Sequence, residues 1–167
     1  CDYIPFHPDL SVSHMGRWFF NQARAIKAGP GKLLLHATRD HSGIAILYSQ
    51  TDFFAATLAA KLDESTAWPS EVSWLNNLKG AMHAIKDLGR QFQFVAADAI
   101  EKDATALNDY GVVLLPYATC LSDTHVAALR AFVERGGTII ADGRATLLTG
   151  NGVIRENRPL DDVFGVT

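Results

Sequence analysis

Three short apolar runs constrain the fold of this chain more than any other feature. They are G-I-A-I-L-Y-S over residues 43–49, G-V-V-L-L-P over 111–116 and T-I-I-A over 138–141. Each carries no charge and is bounded by glycine, proline or polar residues. A strand with one wet face alternates apolar and polar residues, whereas an unbroken apolar run needs cover on both faces, as in a parallel sheet. Residues 91–96 read as a fourth strand.

Helical patterns fill the gaps between these runs. Residues 53–62 are alanine-rich and follow a cap at Thr51 or Asp52. After a loop over 64–70 containing Trp68-Pro69, residues 71–88 carry Leu75, Leu78, Met82 and Ile85 on one stripe, with Ser70 as cap and Gly89 as stop. Residues 98–108 form a short polar helix or turn. Ser122 caps a helix running to 135 with Val126, Leu129, Phe132 and Val133 inward, and Gly136-Gly137 ends it. An irregular stretch over 147–159 leads to a helical turn at 160–164. The order βα(α)βαβαβ, with right-handed crossovers, predicts a doubly wound, flavodoxin-like α/β fold. Its parallel sheet has spatial order 2-1-3-4 and helices on both faces.

The first 28 residues stand outside that pattern. Polar residues over 9–13 can cap a helix over 14–28, whose Met15, Trp18, Phe19 and Ile26 share one face. Gly29-Pro30-Gly31 breaks it, and a second short helix over 32–38 is expected to turn Leu33, Leu34 and Ala37 inward. The expected division is an arm and helix over 1–28, the tail of a preceding domain, and an α/β domain over 29–167. The long helix should pack on the α/β core through Trp18 and Ile26. Trp18, Phe19 and Phe20 form an aromatic cluster suited to a neighbouring domain or subunit, with Phe20 on the outer face. Cys1 at the start is compatible with a lipid-anchored mature protein or, the reading followed here, with a piece of a longer polypeptide.

Composition excludes several functions. Of the 167 residues 48% are hydrophobic and 20% charged, too apolar for a disordered chain. The formal charge of -3 leaves no basic stripe for a phosphate backbone, so no nucleic acid is expected. The apolar runs fall far short of the ~20 residues that cross a bilayer, and no membrane is expected as partner. Cys1 and Cys120 cannot make a disulfide framework. The histidines, His7, His14, His36, His41, His83 and His125, contain no H-x-x-x-H pair, so no metal is expected. Neither a P-loop nor G-x-G-x-x-G is present, and no cofactor is expected. The compartment is left open, leaning to the cytoplasm.

In such a sheet ligands bind beyond the carboxyl ends of the strands. The residues placed there are Ser49, Gln50, Thr51 and Asp52, then Tyr117, Thr119 and Cys120, then Asp142, Gly143 and Arg144. They read as a crevice for a small sugar or carboxylate, Arg144 offering a forked donor, or simply as polar loop tips that cap helices. Cys120 with His125 suggests a thiol enzyme, but that needs a base within hydrogen-bond reach and an exposed thiolate. The bland reading is a buried structural cysteine, and no catalytic residue is assigned.

Several segments together resemble a known family. They are Gly29-Pro30-Gly31-Lys32-Leu33-Leu34, Ile44-Ala45-Ile46-Leu47-Tyr48-Ser49, Val112-Val113-Leu114-Leu115-Pro116, the run from Leu129 through Gly136-Gly137-Thr138, and Leu160-Asp161-Asp162-Val163-Phe164-Gly165-Val166. Their order and spacing are similar to the middle, trimerisation domain of family 42 β-galactosidases, which has the class I glutamine amidotransferase fold. Active amidotransferases place a cysteine on a tight turn after a strand. The comparable turn here is Asp142-Gly143-Arg144-Ala145, with Arg144 where the thiol belongs and no downstream His-x-Glu pair. The resemblance therefore implies a non-catalytic accessory domain that buttresses a preceding glycosidase barrel and assembles subunits, as a trimer in the family. A neighbouring copy can help wall the active site. It also implies that the two carboxylates of glycoside hydrolysis lie in the barrel. A thiol hydrolase or amidotransferase using Cys120 and a sugar- or carboxylate-binding module are the alternatives.

Overall fold

The first apolar run forms β1 (Ile44–Tyr48), the centre of a parallel sheet in the computed structural model of the chain. The structure describes residues 4–38, 41–62, 71–103, 105–142 and 145–166. β1 pairs with β2 (Gln93–Ala96) on one side and with β3 (Val112–Leu115) on the other, and β3 pairs with β4 (Thr138–Ala141). All three pairings are parallel and the order is β2-β1-β3-β4. This is the topology the apolar runs predict. Gly43 precedes β1 at φ +68, a conformation that costs a residue without Cβ little. Its carbonyl accepts from the N–H groups of Gly111 and Val112, which sets the β1–β3 register where β3 begins.

Alternate residues of β1 and β3 feed two cores. On one face Ile46 is fully buried with Ala56 of α3 (Gln50–Leu62) and with Trp74, Leu78 and Ile85 of α4 (Glu71–Asp87). On the other, Ala45, Leu47, Val113 and Leu115 pack with Ile100 of α5 (Ala97–Lys102) and with Val126, Leu129 and Phe132 of α6 (Asp123–Glu134). Leu160, just before α7 (Asp161–Phe164), completes this second core. Arg130 of α6 holds α7 in place, donating to both carboxylate oxygens of Asp162 and to the Pro159 carbonyl.

Several sequence expectations are corrected. The stripe of α4 runs through Trp74 rather than Leu75, which is 40% exposed. Trp74 takes the inner place because its ring meets Tyr48 and Phe53 edge-on, at centroid distances of 5.5 and 5.3 Å. α3 starts earlier than expected, with Ser49 as its cap: the Asp52 N–H donates to Ser49 Oγ at 3.1 Å. β4 is an edge strand, so Ile140 is exposed despite the unbroken run. The polar segment over 98–108 divides into α5 and a turn. The loop over 64–70, including Ser70, lies outside the described residues.

The chain divides into two units, Cys1–Arg39 and Asp40–Thr167. The sheet belongs to the second. The first holds α1 (His14–Ala28) and α2 (Pro30–His36). Ser13 caps α1, accepting from the Gly16 N–H at 2.9 Å and donating to the Ile4 carbonyl at 2.7 Å. Proline at the first position of α2 matches the start signal for a helix, and Gly29 alone makes the break. Within this unit Trp18, Phe19 and Ile26 are exposed, while Phe20, expected on the outer face, is half-buried against Phe6 at 5.5 Å. Leu33, Leu34 and Ala37 are exposed as well, not inward. Leu33, Leu34 and Leu35 are consecutive, so they fan round the short helix instead of forming one stripe.

Candidate functional site

The carboxyl ends of β1 and β3 are joined by one side chain. Asp52, in the first turn of α3, reaches across to the loop between β3 and α6. Its Oδ1 accepts from the Thr119 hydroxyl and from the Cys120 backbone N–H, both at 2.7 Å. Asp52 is fully buried, and its Oδ2 has no hydrogen-bond partner among the described residues. Burial pushes the Asp52 pKa up, and the hydrogen bonds from Thr119 and Cys120 only partly oppose that rise. A helix whose cap is Ser49 would ordinarily turn an acidic residue at this position back on its own N-terminus. Here the carboxyl instead ties two distant loops.

The loop it holds is tightly built. Tyr117 adopts φ +53, and its N–H donates to Asp142 Oδ2 at 2.6 Å beyond the end of β4. The Thr119 N–H donates to the Tyr117 carbonyl, the Thr146 N–H to the Ala118 carbonyl and the Leu148 N–H to the Thr119 carbonyl. Asp142 Oδ1 and the hydroxyl of the fully buried Thr146 are without partners among the described residues. Arg155 closes the outer side, donating to the Leu121 carbonyl at 2.9 Å and pairing with Asp123 at 2.7 Å.

Of the residues the sequence placed here, Ser49, Asp52, Thr119 and Cys120 form one network, and Tyr117 with Asp142 a second. Gln50 is exposed and accepts from the Tyr48 hydroxyl at 3.3 Å. Arg144 and Gly143 lie outside the described residues. Thr146 and Arg155 carried no local signal, since each acts through the chain's return from β4. Open cavities of about 450 Å³, beside Tyr110, Phe132 and Arg135, and about 280 Å³, beside Ala81, Leu114 and Ile140, take in none of Ser49, Asp52, Thr119 or Cys120.

Cys120 is buried, and desolvation, with Asp52 nearby, pushes its thiol up to about 11. A thiol in that state supplies almost no thiolate near neutrality. The His125 ring is engaged elsewhere. Its Nδ1 accepts from the Ser122 N–H at 3.1 Å, which leaves the proton on Nε2, donated to the Ala97 carbonyl at 3.0 Å. The Ser122 hydroxyl donates to Glu101 at 2.6 Å and accepts from the His125 N–H at 3.3 Å. Serine, histidine and glutamate thus meet in one cluster, but they are wired as a capping box with histidine in the place of the usual glutamate. The S-x-x-H spacing at 122–125 was the signal for this cap. Among the described residues no group of three potential ligands could hold a metal, and no helix is long and apolar enough to cross a membrane.

Fold and crevice together define a doubly wound α/β domain whose strand-end switch point is filled by its own side chain. The family model described as the β-galactosidase trimerisation domain matches residues 43–167. The chain belongs to that family. The fold is also similar to that of the solved β-galactosidase from Bifidobacterium adolescentis, with a TM-score of 0.55 and 19% identity, over 76% of this chain and 54% of that one. The chain thus spans about half the length of that protein. No curated protein matches the sequence.

Proposed function

We propose that this chain is the subunit-assembly domain of a β-galactosidase-like glycoside hydrolase, that it acts as a trimer, and that it buttresses the barrel in which the chemistry occurs. The observation that carries the reading is the family match across the whole sheet unit, at residues 43–167. The wiring of Cys120 and His125 agrees with it, since neither group is free to act as nucleophile or base.

The surface we assign to contacts with the barrel or a second subunit lies on residues 1–39. Trp18 and Phe19 are more than half exposed there, at 59% and 54%, and Leu33, Leu34 and Leu35 are more exposed still. Apolar area left in water costs ~25 cal/mol per Å². Phe20 is excluded from this surface because it faces Phe6. Sedimentation across protein concentration tests the reading. A monomer–trimer equilibrium is expected, shifted toward monomer by Trp18→Ser with Phe19→Ser. A chain that stays monomeric at every concentration would overturn the assembly role. Trimers unaffected by both substitutions would move the interface elsewhere.

A further inference from the structure

We propose that the outer face of α3 is a second assembly surface, taking another copy of this chain against Phe54 and Leu58. The inference rests on the assembly reading above and places a contact within the sheet unit. From Phe53 to Ala60 the sequence is F-F-A-A-T-L-A-A, without a charge. A helix on the surface of a lone domain keeps a polar outer stripe, whereas one that is apolar all round is covered on every side. α3 is covered on one side only. Ala56 is buried in the core, while Phe54 and Leu58, one turn apart on the opposite side, are 55% and 62% exposed. At 13 residues α3 is too short to find that cover in a bilayer, which takes ~20.

The family match and symmetry together favour a second copy as the occupant. The matched trimerisation domain, residues 43–167, contains α3 and leaves out the aromatic surface of residues 1–39. Three copies closed about one axis meet through heterologous contacts, so each presents two different surfaces. Residues 1–39 offer one, and the α3 face is the other. That face is suited to losing its water. Gln50 and Thr51 at its edge are exposed but neutral, so no charge is stripped of solvent there. Thr57, the polar residue within the run, already donates its hydroxyl to the Phe53 carbonyl at 2.8 Å. Phe54 is held in advance: its ring lies 5.7 Å from that of Phe53, which lies 5.3 Å from that of the buried Trp74. A ring ordered before docking loses little freedom when a partner covers it.

Sedimentation across concentration and thiol reactivity test the surface together, in a Cys1→Ser background. Phe54→Glu should move the midpoint of the monomer–trimer transition upward by about tenfold or more in concentration. Leu88→Glu, at a residue 76% exposed just beyond α4, should leave it unchanged. In Leu58→Cys the new thiol should react with a disulfide reagent freely in the monomer and lose most of that rate as copies assemble, while Leu88→Cys reacts equally in both states. Where Phe54→Glu loses its circular dichroism, the Leu58→Cys rates decide. A trimer in which Leu58→Cys stays as reactive as in the monomer overturns this surface and leaves the assembly reading standing. A wild type that stays monomeric at every concentration overturns the assembly reading and this surface with it.

Discussion

The chemistry of the domain turns on a single buried carboxyl. Because its folded-state pKa is raised, folded protein binds the Asp52 proton more tightly than unfolded protein does. The contribution of Asp52 to stability is therefore greatest on the acid side. It declines as pH rises from about 4, the ordinary aspartate value, to the folded-state pKa, and is flat above that. Asp9, Asp103 and Asp162 have lowered pKa values and act in the opposite direction, losing stability as pH falls through their folded-state values. Those three are common to wild type and Asp52→Asn, so they cancel in a comparison. Urea midpoints from pH 4 upward should show the gap between wild type and Asp52→Asn moving in favour of Asn as pH rises, then levelling. A gap constant with pH would show that Asp52 does not titrate with folding. Cys120 provides a second readout. In a Cys1→Ser background the native thiol should be inert to disulfide reagents and react only on unfolding, because it is 1% exposed. Rapid labelling under native conditions would contradict its placement.

At the scale of elements, two joints are specific enough to break. Gly16 lies where the segment from Pro5 to Val12 folds back on α1, and a Cβ there would run into the Pro5 carbonyl. Neither backbone can yield cheaply, so Gly16→Ala should destabilise the first unit by about 1–3 kcal/mol, despite alanine's better helix propensity. Circular dichroism of the two proteins during urea titration checks this, and a stabilised variant would show that the fold-back is not formed. The second joint is the cap of α6. Ser122→Ala removes the oxygen that accepts from the His125 N–H and the hydroxyl that donates to Glu101. It should cost about 1 kcal/mol, read as a lower urea midpoint. The same elements show what was legible beforehand. The α6 stripe was readable because Val126, Leu129, Phe132 and Val133 recur at helical spacing and all reach one core. The inner face of α1 was not, because Trp18, Phe19, Phe20 and Ile26 give several competing apolar faces. Only Phe6, brought back by the turn before α1, decides that Phe20 is the inward one.

For the whole molecule, the parallel sheet provides scaffolding, and among the described residues at its carboxyl edge the one thiol is buried and held above its ordinary pKa. Topology brings Ser49, Asp52, Thr119 and Cys120 together at the strand ends, but their joint arrangement was not readable. Nothing near Asp52 in the sequence indicates that its carboxyl spans to Thr119 rather than capping its own helix. The 167-residue chain should neither cleave aryl galactosides nor release ammonia from glutamine. Turnover abolished by Cys120→Ser would show that the buried thiol becomes accessible and would reverse the non-catalytic reading.

The sequence by itself determined the parallel sheet, its strand order and most helix boundaries. These depend on local facts: uninterrupted apolar runs, helical periodicity, serine caps and glycine stops, combined with the handedness of crossovers. Tertiary structure alone decided that Trp74 rather than Leu75 enters the core, that Ile140 lies at an open edge, and that Asp52 closes the crevice from within. Each of those outcomes depends on which group stands opposite in space, and periodicity along one segment carries no information about a partner dozens of residues away.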